Sequence, residues 1–339
     1  MNSTSRIGTS KKILIVAPQA TSGQPVAERT KAFVDFFKRH GIETEKYRSP
    51  TTFTELLALI YYIYIAKYRT VFITMPPFRN WSLCLLPGIK TILDLRDGWS
   101  IAMHTGYGGT VRPAHCKALI ARMIEQIAIW RSALAITCTP GLMSYHTTWL
   151  TRKRMLLILN GFPDHEFQIA QKARLDAKKV KRPSDELVFV CAGKFSEYGH
   201  DKAKCIINMI SKNFRNYKCT LSIYSSIEDN IWIKDYMNTE GISNINVKII
   251  GYIDRKELLY KIAAADYGIV VLRDSKYDIG TKVFDYIVCG VKLFGCFSRE
   301  FWEVLGDLQD RQLRIEEALR FSRSSILEEA REKILTVIK

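Results

Sequence analysis

The stretch YGIVVLRDSKYDIGTKVFDYIVCG, residues 267–290, decides how this chain is read. YGIVVL is a short β-branched run with the composition of a buried strand, and KVFDYIVCG carries apolar residues at helical spacing. Between them lies a polar break that ends in Gly280-Thr281-Lys282. A strand, a loop and a helix in that order form one unit of an α/β domain. The amides of Gly280 and Thr281 precede the helix, where the positive end of its dipole favours phosphate, and Lys282 adds a full charge. Asp285 follows one turn later, roughly 5 Å along the axis, the separation between a nucleotide's phosphates and its ribose hydroxyls. A plain alternative stands beside this one: an acid in the first turn of a helix is favoured by the dipole without any ligand.

The same alternation extends in both directions. KKILIVAP (11–18) opens the chain as a strand, and Val26, Phe33, Phe36 and Phe37 recur at helical spacing until His40-Gly41. ETEKY, a helix over 53–66, TVFITM, TILDL, a helix around 116–131, ALAITCT, a helix over 140–150 and MLLILNG continue the pattern. Residues 161–183 lapse into a polar, basic stretch that reads as a helix-containing linker. Alternation restarts with ELVFVCAG, a helix near 202–214, KCTLSIYSS, a helix near 229–238, NVKIIGY, a helix at 254–264, the opening stretch and KLFGCF. The expected fold is α/β, with two Rossmann-like, doubly wound parallel-sheet domains facing across a cleft. The expected boundaries are 1–165, 166–310 and a helical tail, 311–339, that packs on its own domain or back across the cleft.

The chain has 339 residues and a formal charge of +16, a length that predicts two domains. Residues 1–165 hold 21 Lys/Arg against 9 Asp/Glu, so most of the excess lies in the first half. Such a field attracts polyanions, either nucleic acid or an anionic leaflet, at about 1 kcal/mol per basic residue near a membrane surface; solvated lysines are the plain alternative. The eight cysteines show no C-x-x-C spacing and several lie in apolar runs, the pattern of a reduced, cytoplasmic chain. The first residues lack the apolar core of a signal peptide. LLALIYYIYIA (56–66) falls short of the about 18 to 20 residues of a spanning helix and reads as a buried or surface-seated helix.

Three further loops follow strands and so face the expected cleft. PQATSGQPVAER (18–29) holds only Gly23, which is not a dinucleotide fingerprint. DLRDGW (94–99) offers Asp94 and Asp97 around Arg96, with His104 nearby; a carboxylate there suits a hydroxyl hydrogen bond or base work, or simply caps a turn. AGKFSEYGHDK (192–202) supplies Gly193 for close backbone approach, with Lys194 and Lys202 to neutralise a diphosphate or to lie solvated. No metal-ligand spacing accompanies them.

Taken in order, CTPGLMSY (138–145), LNGFPDHEF (159–167), AGKFSEYG, IIGYIDRKELLYKIAAADYGIVVL and GTKVFDYIVCGVKLFG resemble the GT-B glycosyltransferases, most like glycosyltransferase family 4. The resemblance covers nearly the whole chain. It implies metal-independent transfer, with retention, of a sugar from a nucleotide-diphosphate donor on the second domain to an acceptor on the first, with no separate cofactor. It sets Asp285 at the ribose-binding acid, Lys194 at a phosphate-binding base, and Gly280, Thr281 and Lys282 on the phosphate loop. Asp97 and His104 would orient acceptor or donor sugar, while Lys194 and Lys282 stabilise the leaving diphosphate. Tyr277 stands where the family often has a second glutamate. With the basic first half, this points to a glycan or lipid-linked acceptor in bacterial surface polysaccharide assembly, and to peripheral contact with the inner membrane face. A nucleic-acid-modifying sugar transferase, a sugar-nucleotide epimerase and a non-catalytic nucleotide-binding subunit are the alternatives.

Overall fold

A computed structural model describes residues 11–21, 24–106, 112–179, 182–309 and 313–338. The first sheet is fed by β1 (Lys12–Ala17), α1 (Pro25–Arg39), β2 (Glu43–Arg48), α2 (Phe53–Ile65), β3 (Thr70–Met75), β4 (Lys90–Leu95), α3 (Trp99–Thr105), α4 (His115–Arg131), β5 (Leu134–Thr137), α5 (Pro140–His146) and β6 (Met155–Leu157). All six strands are parallel, in the order β2-β1-β3-β4-β5-β6. Side chains alternate between faces along each strand, so each face has its own core. Ile13, Ile15 and Phe72 pack against Phe33, Phe36 and Phe37 of α1. Leu14, Val16, Val71 and Ile73 pack against Leu59 and Ile63 of α2, Ala128 and Ile129 of α4, and Leu83 of the 3₁₀ helix Phe78–Leu85.

The second sheet follows α6 (Glu166–Ala177) and comprises β7 (Glu186–Ala192), α7 (His200–Asn213), β8 (Lys218–Tyr224), α8 (Trp232–Thr239), β9 (Ile245–Ile249), α9 (Arg255–Ala263), β10 (Tyr267–Val270), α10 (Lys282–Cys289) and β11 (Lys292–Gly295). Its five parallel strands run β11-β10-β7-β8-β9. The doubly wound fold read from the alternation is therefore present twice. Four short helices close the chain: α11 (Arg299–Leu305), α12 (Ile315–Ala318), α13 (Arg323–Glu329) and α14 (Arg331–Ile338).

Two segments differ from the sequence reading. The helix expected within 161–183 is present as α6, but it is packed rather than free, because Ala170 and Ala173 are buried and Ala170 shares a core with Leu259 and Ile262 of α9 and Ile287 of α10. The helix expected over 140–150 ends at His146, and residues 147–154 turn back instead. The tail crosses between the sheets: Ile326, Leu327, Ala330 and Ile334 join the core of the first domain. It is latched at the crossing, where the Phe162 amide donates to Phe321 O at 3.1 Å and the Arg323 amide to Phe162 O at 3.0 Å. Among the described residues, no helix is long and apolar enough to cross a membrane.

Candidate functional site

In doubly wound sheets, ligands bind beyond the carboxyl ends of the strands where strand order reverses. In the second sheet that point lies between β7 and β10. Their pairing stops at Phe189–Tyr267 and Val190–Gly268, and Tyr286 of α10 fills the gap beyond. Its hydroxyl accepts from the Ala192 amide at 2.9 Å and donates to Ile269 O at 2.8 Å. A glycine at 268 is required for this: a β-carbon there would come within 2.4 Å of the Tyr286 ring. The tyrosine thus seats the N-terminus of α10 at the switch point. A β-carbon on Gly193 would lie 3.5 Å from Lys282 Cε, so the β7 loop and the start of α10 converge.

A cavity of about 520 Å³ opens beside this convergence, lined by Thr281, Lys282, Asp285, Arg255 and Glu166 from the second domain, Glu28 and Lys31 from α1, and Arg323 from the tail. Arg255 is its hub. Its guanidinium reaches Asp285 through Nη1 at 2.8 Å and Nη2 at 2.6 Å, and Glu166 through Nε at 2.8 Å and Nη2 at 2.6 Å. Lys282 Nζ stands 3.2 Å from Asp285 Oδ2. Burial favours the neutral form of Asp285, but the charges of Lys282 and Arg255 outweigh it and hold the carboxylate below its usual range. Burial likewise works against the Arg255 charge, and Asp285 with Glu166 overcomes it. Arg323 donates from Nε to Asn160 O at 3.1 Å and pairs with Glu28 at 3.5 Å.

A second cavity, about 240 Å³, shares Pro25 and Thr281 with the first and lies between the domains. Arg96, Asp97, Asn160, Tyr198, Arg273 and Asp278 line it. Asp97 of the first domain accepts from Arg273 Nη2 of the second at 2.7 Å. Asp278 accepts from the Gly280 amide at 2.9 Å, and burial pushes its carboxyl above the usual range although Arg273 and that amide oppose the rise. The domains meet closely beside it. Thr139 Oγ1 donates to Tyr277 O at 2.8 Å, and a β-carbon at Gly141 would fall 1.8 Å from Lys276 O, so glycine is what permits this backbone approach.

Thr281, Lys282 and Asp285 are brought together at the larger cavity and Gly280, Thr281 and Asp97 at the smaller, with Gly193 adjoining Lys282. Lys194 lies 5.2 Å from the ring centre of Tyr198, a cavity-lining residue. Lys202 is not delivered to the cleft cavities: its ammonium donates to Leu272 O at 3.0 Å and to Arg273 O, bracing the loop after β10. His104 is also elsewhere, exposed with Nδ1 3.4 Å from His115 Nδ1 at the start of α4. Asp94 is a buried structural acid, held by Arg29 at 2.8 Å. Arg96 Nη2 donates to Pro76 O at 2.9 Å, and its buried Nε has no hydrogen-bond partner. Gly23 and residues 107–109 lie outside the described residues. Arg255, Glu166, Arg273 and Asp278 were not singled out as site residues, although each lies within one of the quoted stretches.

No protein-family model and no curated protein matches the sequence. Solved structures do match in fold, and they are the two-domain GT-B class. Sucrose-phosphate synthase from Thermosynechococcus elongatus superposes with a TM-score of 0.61 at 12% identity, over 96% of this chain and 99% of that one. HepE from Anabaena, solved in complex with UDP, gives 0.59 at 13% identity over 96% and 100%. WaaG, a glycosyltransferase involved in lipopolysaccharide biosynthesis, gives 0.53 at 10% identity over 96% and 93%. The full-length superpositions establish the GT-B fold of this chain.

Proposed function

We propose that this chain is a glycosyltransferase that moves a sugar from a nucleotide-diphosphate donor, in the first instance a UDP-sugar, to a glycan or lipid-linked acceptor. One observation carries the reading: the N-terminus of α10, Lys282, Arg255 and Arg323 converge on one cavity at the switch point of the second sheet. HepE, with UDP bound in a like fold, supports the choice of nucleotide. In this reading the nucleoside occupies the larger cavity, near Asp285 and Arg255. The diphosphate lies where the two cavities meet at Thr281, against Lys282 and the Gly193-Lys194 loop. The sugar enters the smaller cavity between Asp97, Arg273 and Asp278.

In the transfer, the bond from the sugar's anomeric carbon to the diphosphate oxygen breaks, and an acceptor hydroxyl forms the new bond to that carbon. Negative charge develops on the departing oxygen, and the α10 amides and Lys282 are fixed donors aimed at it. The protein's own cations supply the neutralising charge in the metal-independent, retaining transfer proposed. Asp278, with its raised proton affinity, suits a hydrogen bond or proton at the sugar or acceptor hydroxyl. Arg96, with an unpartnered buried Nε, has a donor left for a ligand. The basic first half favours an acceptor at an anionic membrane surface, as in surface polysaccharide assembly. Incubation of the purified chain with a panel of UDP-sugars and bacterial lipid extract tests the reading. Release of UDP that depends on the extract is expected; binding of no nucleoside diphosphate and turnover of no donor sinks it.

A further inference from the structure

The face of the first domain that carries α2 and α4 is apolar where a globular surface is polar. Both helices cover the same side of the sheet, with the 3₁₀ helix Phe78–Leu85 between them, and each buries a narrow stripe: Leu59 and Ile63 from α2, Ala121, Ala128 and Ile129 from α4. At 100° per residue, the opposite sides of the helices are lined by a second set of large apolar residues. On α4, Leu119, Ile120, Met123, Ile127 and Trp130 are all exposed, Leu119 by 64%. On α2, Phe53, Leu57, Tyr61 and Ile65 are exposed, Phe53 by 71% and Tyr61 by 69%. Trp149, 81% exposed, adjoins them on a turn tied to α4 by the Thr148 hydroxyl, which donates to Gln126 Oε1 at 3.2 Å. Single exposed apolar residues are ordinary, but sets of large apolar residues along the outer sides of two helices on one face mark an interaction surface.

The charges around this face select the occupant. The acids of the two helices are Glu55, engaged in the N-terminal cap of α2, and Glu125, buried and bonded to the Trp99 amide at 2.7 Å. Exposed cations border the apolar set: Lys67 and Arg69 after α2, Lys117 and Arg131 on α4, Arg152 and Lys153 beside Trp149. Aromatic and aliphatic side chains rimmed by Lys and Arg suit a leaflet with anionic headgroups, the apolar groups entering the acyl boundary and the cations staying at phosphate level. A second copy of the chain would bring two basic rims together, which like-charge repulsion opposes.

We infer that α2, α4 and the turn at Trp149 form a docking surface for an anionic lipid bilayer. α2 begins beyond the carboxyl end of β2, and α3, which follows β4 and Asp97, packs against α4, so the surface runs from the mouth of the cleft outward. A membrane-borne acceptor would meet Asp97 at the edge of the lipid; this consequence rests on the transferase reading, whereas docking itself does not.

Flotation of the full chain with phosphatidylcholine vesicles, with and without one third phosphatidylglycerol, tests it. The expected result is affinity for the anionic vesicles at least about tenfold greater than for the neutral ones, with a blue shift of tryptophan emission on binding. Leu57→Glu/Tyr61→Glu/Leu119→Glu/Met123→Glu changes only exposed positions. It should lower vesicle affinity by at least about tenfold while affinity for UDP stays within the error of the wild type. Vesicle binding without UDP binding supports the docking surface and sinks the transferase. Equal binding of variant and wild type to the anionic vesicles, or no binding by the wild type, overturns the inference. So does light scattering that shows a wild-type dimer turned to monomer by the variant with vesicle affinity unchanged.

Discussion

Asp278 and Asp285 lie seven residues apart in one segment, and their surroundings drive them in opposite directions. Asp285 is buried against Arg255 and Lys282 and is held ionised. Asp278 is desolvated between the domains and holds its proton above the ordinary range, although Arg273 and the Gly280 amide pull the other way. The difference separates two tasks within one loop and helix. A fixed negative charge organises the cations of the larger cavity, and a carboxyl with raised proton affinity stands in the smaller one. Burial raises a carboxyl, and close cations or hydrogen bonds to its charged form lower it again.

Removing the cation is the most severe way to break the contrast. Arg255→Ala leaves Glu166 and Asp285, both buried, without their shared partner, and should destabilise the chain by about 3 kcal/mol. The loss should shrink on acidification as Asp285 takes up a proton. A chemical denaturation series over pH measures both effects. Tyr286→Phe keeps the ring against Gly268 but leaves the Ala192 amide and Ile269 carbonyl without their partner; about 2 kcal/mol of stability should be lost. Amide exchange should show the end of β7 opening first. Calorimetric unfolding that matches the wild type contradicts this account of the switch point.

A smaller effect concerns pH. Below neutrality, the folded chain keeps the Asp278 proton to higher pH than the unfolded chain, so stability falls as pH rises through that window. Asp285 has the opposite sign: its contribution is complete above the unfolded value of about 3.9 and disappears as pH falls through the depressed folded value. Asp278→Asn retains an acceptor for the Gly280 amide and should flatten only the first slope, between pH 4 and 7. Urea denaturation across that range reads it directly.

The two parallel sheets, the succession of strands and helices along each alternating run and the loop at 280–285 were legible in the sequence because periodicity and the Gly-Thr-Lys step are local features. The charge network was not. Arg273 and Asp97 are 176 residues apart, and Arg29 and Asp94 are 65 apart. Nothing in the spacing of Asp94 and Asp97 says that one is buried in a structural pair and the other faces the cleft. Lys202 illustrates the converse: its position one turn into a helix after a glycine loop fits phosphate, yet two nearby carbonyls take its donors. The second apolar side of α4 was equally hidden, because a run apolar all round reads as deeply buried until packing shows which side remains open.

The central claim is that the start of α10 receives a diphosphate. Titration calorimetry of UDP into the wild type and Lys282→Ala tests it most directly. Micromolar binding by the wild type, weakened about tenfold or more in the variant, or about 1.4 kcal/mol, is the predicted result. Equal affinities, or a wild type that binds neither UDP nor another nucleoside diphosphate, would contradict the account.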